Sequence, residues 1–285
     1  MSLVKSIGGK NVNFDFNKEF LSIFSDKIKS SDIKFINQTL GDLHPSDVAN
    51  LIENLSYETR AKLIEIEEFD IEPEIFVEIN ESIQTEILQL LSSDSIAKII
   101  KRLESDNAIS IIENLNQDKK NSVLDKLPPK DRFLLEEGLS YPEDSAARIM
   151  QREFTAVPSD WSVGQTIDYL RESKDLPEEF LEIFIVDNDF KPIGMVPSSR
   201  VLRTPREKKM KSIMREMPVL ISVNMDKEEV GHTFENYNLV SAGVVNKNNK
   251  LVGMITADDA VTVVQEEAEE DVLRLAGVGD EEITD

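Results

Sequence analysis

The sequence predicts a multidomain chain: an all-α superhelical repeat domain followed by a duplicated α+β unit. Two observations carry that expectation. Asp94, Asp106 and Asp118 stand twelve residues apart, and Leu103, Leu115 and Leu127 keep the same interval. Further on, one arrangement of short β-branched runs around a helical stretch starts at Ile149 and starts again at Ile213.

The helical half is read from its repeats. Segments beginning at Ser93, Ser105 and Gln117 align, and Ser46-Asp47-Val48-Ala49 opens an earlier copy. Ser or Asp is expected to open each unit as an N-cap, and apolar residues follow at helical spacing. A short helix cannot bury its stripe alone, so such units stack into a superhelix. Pro128-Pro129 ends the last clear copy. The expected limits are a partly helical or disordered extension over 1–40 and the repeat domain over 41–140.

The pattern changes near Tyr141-Pro142-Glu143-Asp144. Phe154–Val157, Ile183–Val186 and Pro192–Val196 read as strands, and Val163–Glu172 reads as a helix. Ile183–Val196 is answered by Ala242–Thr256, and Arg152-Glu153 by Arg215-Glu216. The turns Asp187-Asn188-Asp189 and Asn246-Lys247-Asn248-Asn249 suit hairpins. The expected units are 141–206 and 207–272, with a connector over 273–285.

Composition narrows the chemistry. The chain lacks cysteine and has two histidines, His44 and His232. That removes disulfides, thiolate catalysis, cysteine-bound zinc and a multi-histidine metal site. No apolar run is long enough to span a membrane, and the start lacks the apolar core of a secretory signal. With 55 acids against 32 bases the formal net charge is −23, which repels nucleic acid and anionic lipid and favours cations. Neither a P-loop nor a Gly-rich dinucleotide turn is present, so an enzyme is not expected.

The charge is concentrated at the end. From Asp258 to Asp285 there are eleven acids and one base, Arg274. On a helix numbered from Asp259, Val261, Val264, Ala268, Val272 and Leu275 fall in one apolar arc, with Asp259, Glu266 and Glu270 opposite. Solvated helix faces usually interleave Lys with Glu, because like charges four apart cost a few tenths of a kcal/mol. These acids therefore look to a cation, to a basic partner or to open water. Carboxylates alone select hard cations, and Mg2+ keeps several waters, so few protein ligands are needed from each surface.

The duplicated unit resembles the CBS domain, whose fingerprint is Gly, two apolar residues, Thr or Ser, two variable residues and Asp. The second copy carries it as Gly253-Met254-Ile255-Thr256-Ala257-Asp258-Asp259, while the first has Pro197 for the hydroxyl and Arg200 for the acid. Helical repeats, then Leu139–Met150, then a CBS pair closing over Leu251–Val278 resemble the cytosolic region of MgtE-type magnesium transporters. That resemblance implies a Mg2+-sensing gating module on the cytoplasmic side of the membrane, a homodimer formed through the CBS units, and a transmembrane channel domain as partner. It implies metal positions at Asp259, at Glu267, Glu270 and Asp271 on the closing helix, and at Asp226 and Glu228. Asp106 is the candidate from the repeat domain, with an N-cap as its plainer role. Thr262 and Asn238 stand where relatives often carry acids. The alternative is an adenosine-nucleotide module, with Thr256 and Asp259 on the ribose and Arg200 on phosphate, and ATP as modulator.

Overall fold

The computed structural model describes residues 16–66, 71–177, 180–217 and 219–276. The chain divides into two compact units: residues up to Leu103 with Ser110–Arg132, and Glu104–Ile109 with the residues from Phe133 onward.

The first unit is all helix. Its elements are α1 (Lys18–Lys29), α2 (Ile33–Gly41), α3 (Pro45–Glu53), α4 (Tyr57–Ile64), α5 (Pro73–Val77), α6 (Glu81–Leu90) and α7 (Ser93–Ile100). After α8 (Ser105–Glu113) come α9 (Gln117–Leu124) and the start of α10 (Pro129–Leu139). Helices pack against their second neighbour along the chain: α3 on α5, α4 on α6, α7 on α9. Each short helix so buries its apolar stripe on the repeat after next, which is the superhelical stacking expected from the twelve-residue period. Arg60 ties two layers together. Its guanidinium grips both oxygens of Glu86 at 2.8 Å and donates to the carbonyls of Glu53 and Leu55 at 3.2 and 2.5 Å.

One local expectation is corrected. The N-caps lie earlier than Asp94 and Asp118: Ser92 caps α7 and Asn116 caps α9, each accepting from a backbone N–H three residues on. The repeated Asp instead occupies the first helical turn, where a negative charge meets the positive end of the helix. The stretch expected as an extension also contributes to the unit. Phe20, Phe24 and Ile28 of α1 are buried, Phe20 and Phe24 stack at 6.0 Å, and α1 packs on α2 and α4.

The second unit holds two three-stranded sheets of one design. β1 (Ala156–Pro158) runs parallel to β2 (Glu182–Val186), which pairs antiparallel with β3 (Pro192–Pro197). β4 (Ile221–Ser222), β5 (Ser241–Val245) and β6 (Leu251–Thr256) repeat this order. The helices are α11 (Val163–Glu172), α12 (Ser198–Arg203), α13 (Met210–Ile213), α14 (Lys227–Tyr237) and α15 (Ala257–Ala276). Both hairpins shift register at the same place, Ile185/Val186 and Val244/Val245.

The two copies exchange their lead-in segments. Gln151 bridges to Met254 in the second sheet, and Arg215 bridges to Met195 in the first. Met150 and Ala146 are buried in the core of the second copy, whereas Met210 belongs to the core of the first. The fingerprint glycines permit the crossing. A Cβ on Gly253 would lie 2.8 Å from the Gln151 carbonyl oxygen, and one on Gly194 would lie 2.8 Å from that of Arg215. The expected boundaries at 141 and 207 follow the chain, but the cores do not.

On α15 the apolar arc is not the buried face. Ala260 and Val263 are buried, whereas Val261, Val264 and Val272 are 55%, 45% and 64% exposed.

Candidate metal site

The second unit gathers carboxylates around the start of α15 and the first turn of α8. β6 ends at Thr256, and α15 begins at once, so Asp259 folds back onto its own helix start. Asp259 Oδ2 accepts from Thr256 N at 3.1 Å, from Thr256 Oγ1 at 2.5 Å and from Gln151 Nε2 at 3.1 Å. Burial raises its pKa, and the Thr256 bonds oppose that rise.

Asp106 faces Asp259. It is buried, and its Oδ1 has no hydrogen-bond partner. Burial, and next the neighbouring Asp259 carboxylate, push its pKa well above the ordinary carboxylate range. The Asp106 carboxyl in turn opposes the rise at Asp259. Two like charges in one shielded place cannot both ionise cheaply. Beside them Glu104 is raised by burial and then by Asp259, Glu153 and Asp258. Either a proton or a cation must compensate this group. Among the described residues no three acidic or imidazole side chains converge closely enough to cage an ion unaided. A cation that keeps most of its water and needs only one or two carboxylates fits that donor set.

The other expected positions lie apart from this pair. Asp226 accepts from Glu228 N at 2.9 Å and so caps α14. Glu228 is exposed on α14, 3.7 Å from His232. Glu267 lies 3.9 Å from the Lys227 ammonium, which also reaches Asp144 at 3.5 Å. Glu270 and Asp271 lie on α15, but their side chains are outside the described residues. Thr256 spends its hydroxyl on Asp259, and Arg200 donates to the Ile213 carbonyl at 3.0 Å. Asp106 does not cap α8; it stands in the first turn of that helix. Glu104, Gln151, Glu153 and Asp258 were not among the expected residues. Glu153 carried a signal, because the Arg152-Glu153 pair marks the lead-in of the first copy.

Residues 43–144 match the family described as the MgtE intracellular N domain, and residues 146–207 and 210–266 match the CBS domain. This chain is an MgtE N domain followed by a CBS pair. The magnesium transporter MgtE of Bacillus subtilis is 28% identical over 141 residues, covering 50% of this chain and 31% of that protein. MgtE of Thermus thermophilus is 29% identical over 154 residues, covering 54% and 34%. The chain thus spans about a third of the length of the curated relatives it matches. Two solved structures share the fold. The soluble part of a magnesium transporter has a TM-score of 0.75 at 20% identity, covering 88% of this chain and 99% of that one. The cytosolic domain of the Mg2+ channel MgtE in complex with ATP has a TM-score of 0.76 at 23% identity, covering 84% and 97%. Among the described residues of this MgtE N domain and CBS pair, no helix is long and apolar enough to cross a membrane.

Proposed function

We propose that this chain is the Mg2+-sensing regulatory module of an MgtE-type magnesium transporter, working on the cytoplasmic side of the membrane. The observation that carries the reading is the unpartnered, buried Oδ1 of Asp106 opposite Asp259. A hydrated Mg2+ held by Asp106 and Asp259, with Glu104 and Asp258 beside it, removes the repulsion that otherwise opposes the closed arrangement. The site is then coupled to conformation by its differential affinity for compact and open states. In the intact transporter the compact state would hold the pore closed, and the module would act as a homodimer joined to a transmembrane channel domain. The exposed Val261, Val264 and Val272 on α15 offer that dimer an apolar face.

The test is small-angle scattering and limited proteolysis with and without millimolar Mg2+. The reading predicts a smaller radius and slower cutting with Mg2+, both lost in Asp106→Asn. Equal radius and equal cutting in both conditions would sink it. Binding of ATP as modulator is a finer proposal, suggested by the fingerprint at Thr256 and Asp259. Calorimetry with ATP and AMP in Mg2+-free buffer tests it, with absence of heat as the refuting result.

A further inference from the structure

We propose that Glu153 is the positioning residue of this site: its carboxylate anchors the first turn of α8 so that Asp106 faces Asp259. The inference rests on the cation reading above and names what assembles that site. Glu153 Oε2 accepts from Ser105 N at 3.1 Å, from Ser105 Oγ at 3.0 Å and from Arg152 N at 3.1 Å. The Ser105 hydroxyl oxygen accepts in return from Arg152 N at 2.8 Å.

The first N–H groups of a helix have no partner within it. In α7 and α9 a local side chain fills the gap, Ser92 and Asn116 respectively. In α8 the gap at Ser105 is filled from a residue 48 positions later in the chain. The negative carboxylate also suits the positive end of the helix. Such a bond ties α8 to one place in the second unit, which its sister repeats do not need.

The same segment governs the facing carboxylate. Gln151, two residues before Glu153, donates to Asp259 Oδ2 at 3.1 Å. Its backbone is clamped to β6 through paired bonds with Met254, both 2.8 Å. β6 leads directly to Thr256, which supplies the other two donors to Asp259. Residues 151–153 therefore hold Asp259 at one end and the helix bearing Asp106 at the other. Their backbone sets the separation of the two carboxylates, and Glu153 itself is already committed to three donors.

Calorimetric Mg2+ titration of the full chain tests the proposal with Glu153→Ala, Glu153→Gln, Asp106→Asn and the Glu153→Ala/Asp106→Asn double variant. Loss of a residue that orients a metal ligand typically costs ten- to a hundredfold in affinity, and about that loss is expected for Glu153→Ala. Glu153→Gln keeps an acceptor for Ser105 N and should recover most of the affinity. The double variant should bind no more weakly than Asp106→Asn alone, because the anchor acts only through Asp106. Protection of the Ser105 and Asp106 amides from hydrogen exchange should fall in Glu153→Ala while the CBS cores stay protected. Unchanged affinity in Glu153→Ala, when Asp106→Asn has lost it, overturns the anchor and leaves the cation reading standing. Unchanged affinity in Asp106→Asn overturns the cation reading, and the anchor with it.

Discussion

Replacing Asp106 by Asn should make the Mg2+-free protein more stable and its Mg2+ response smaller. Asp106 is 8% exposed, with one carboxylate oxygen unpartnered, and its pKa is raised first by burial and then by Asp259. At neutral pH the native protein must either keep a proton there or bury uncompensated charge. A buried polar group without its hydrogen bond costs about 1–3 kcal/mol by mutational measures. The amide of Asp106→Asn carries no charge to bury beside Asp259. The expected gain without Mg2+ is therefore about 1–3 kcal/mol, or a rise of about 2–12 °C in the melting temperature of a domain this size. Native protein in Mg2+ at a hundred times its dissociation constant should gain about 2.7 kcal/mol, and the variant should lose most of that gain. Thermal unfolding in EDTA and in Mg2+ gives all four values. If the variant is less stable than the parent in EDTA and gains equally from Mg2+, the reasoning about Asp106 is wrong.

Further outcomes follow from the same geometry. Asp106, Asp259 and Glu104 all have raised pKa values in the fold, so the native state binds their protons more tightly than the unfolded chain does. The stability they contribute is present below the unfolded carboxylate range and is lost as pH rises through the raised values. Urea unfolding in EDTA should show that decline, and Mg2+ should reverse it at the higher pH. Gly253→Ala places a methyl 2.8 Å from the Gln151 carbonyl oxygen and the Met150 sulfur; overpacking of that kind costs about 1–3 kcal/mol and should appear in the denaturation midpoint. Arg60→Ala leaves the partly buried Glu86 without its bidentate partner, with side-chain exposures of 9% and 23% for the pair. A loss of about 3 kcal/mol is expected in chemical denaturation, confined to the helical unit.

The sequence was informative wherever a period governs structure. A twelve-residue interval places α7, α8 and α9, because a short helix and its turn occupy one period. The hairpin answering between Ile183 and Ala242 locates both sheets, since alternating β-branched runs around polar turns have few other solutions. Cap positions were displaced because Ser92 and Asn116 stand one residue before the repeat that was aligned. The crossing of Met150 and Met210 between copies was not legible, because nothing in a linear pattern says which of two equivalent sheets a lead-in segment joins. Val261, Val264 and Val272 form the apolar arc that periodicity gives, but Ala260 and Val263 are the residues that pack. Asp106 and Asp259 were legible through the repeat and the fingerprint. Gln151 was not, and Glu153 showed only as half of the repeated Arg-Glu lead-in, since a carboxylate that reaches a helix start 48 residues away leaves no local trace of its target.

Anomalous scattering from crystals soaked in Mn2+, which takes the same octahedral oxygen ligands as Mg2+, tests the central claim most directly. The account predicts a peak between the carboxylates of Asp106 and Asp259, absent in Asp259→Asn. Mn2+ peaks elsewhere with none between those two carboxylates would contradict it.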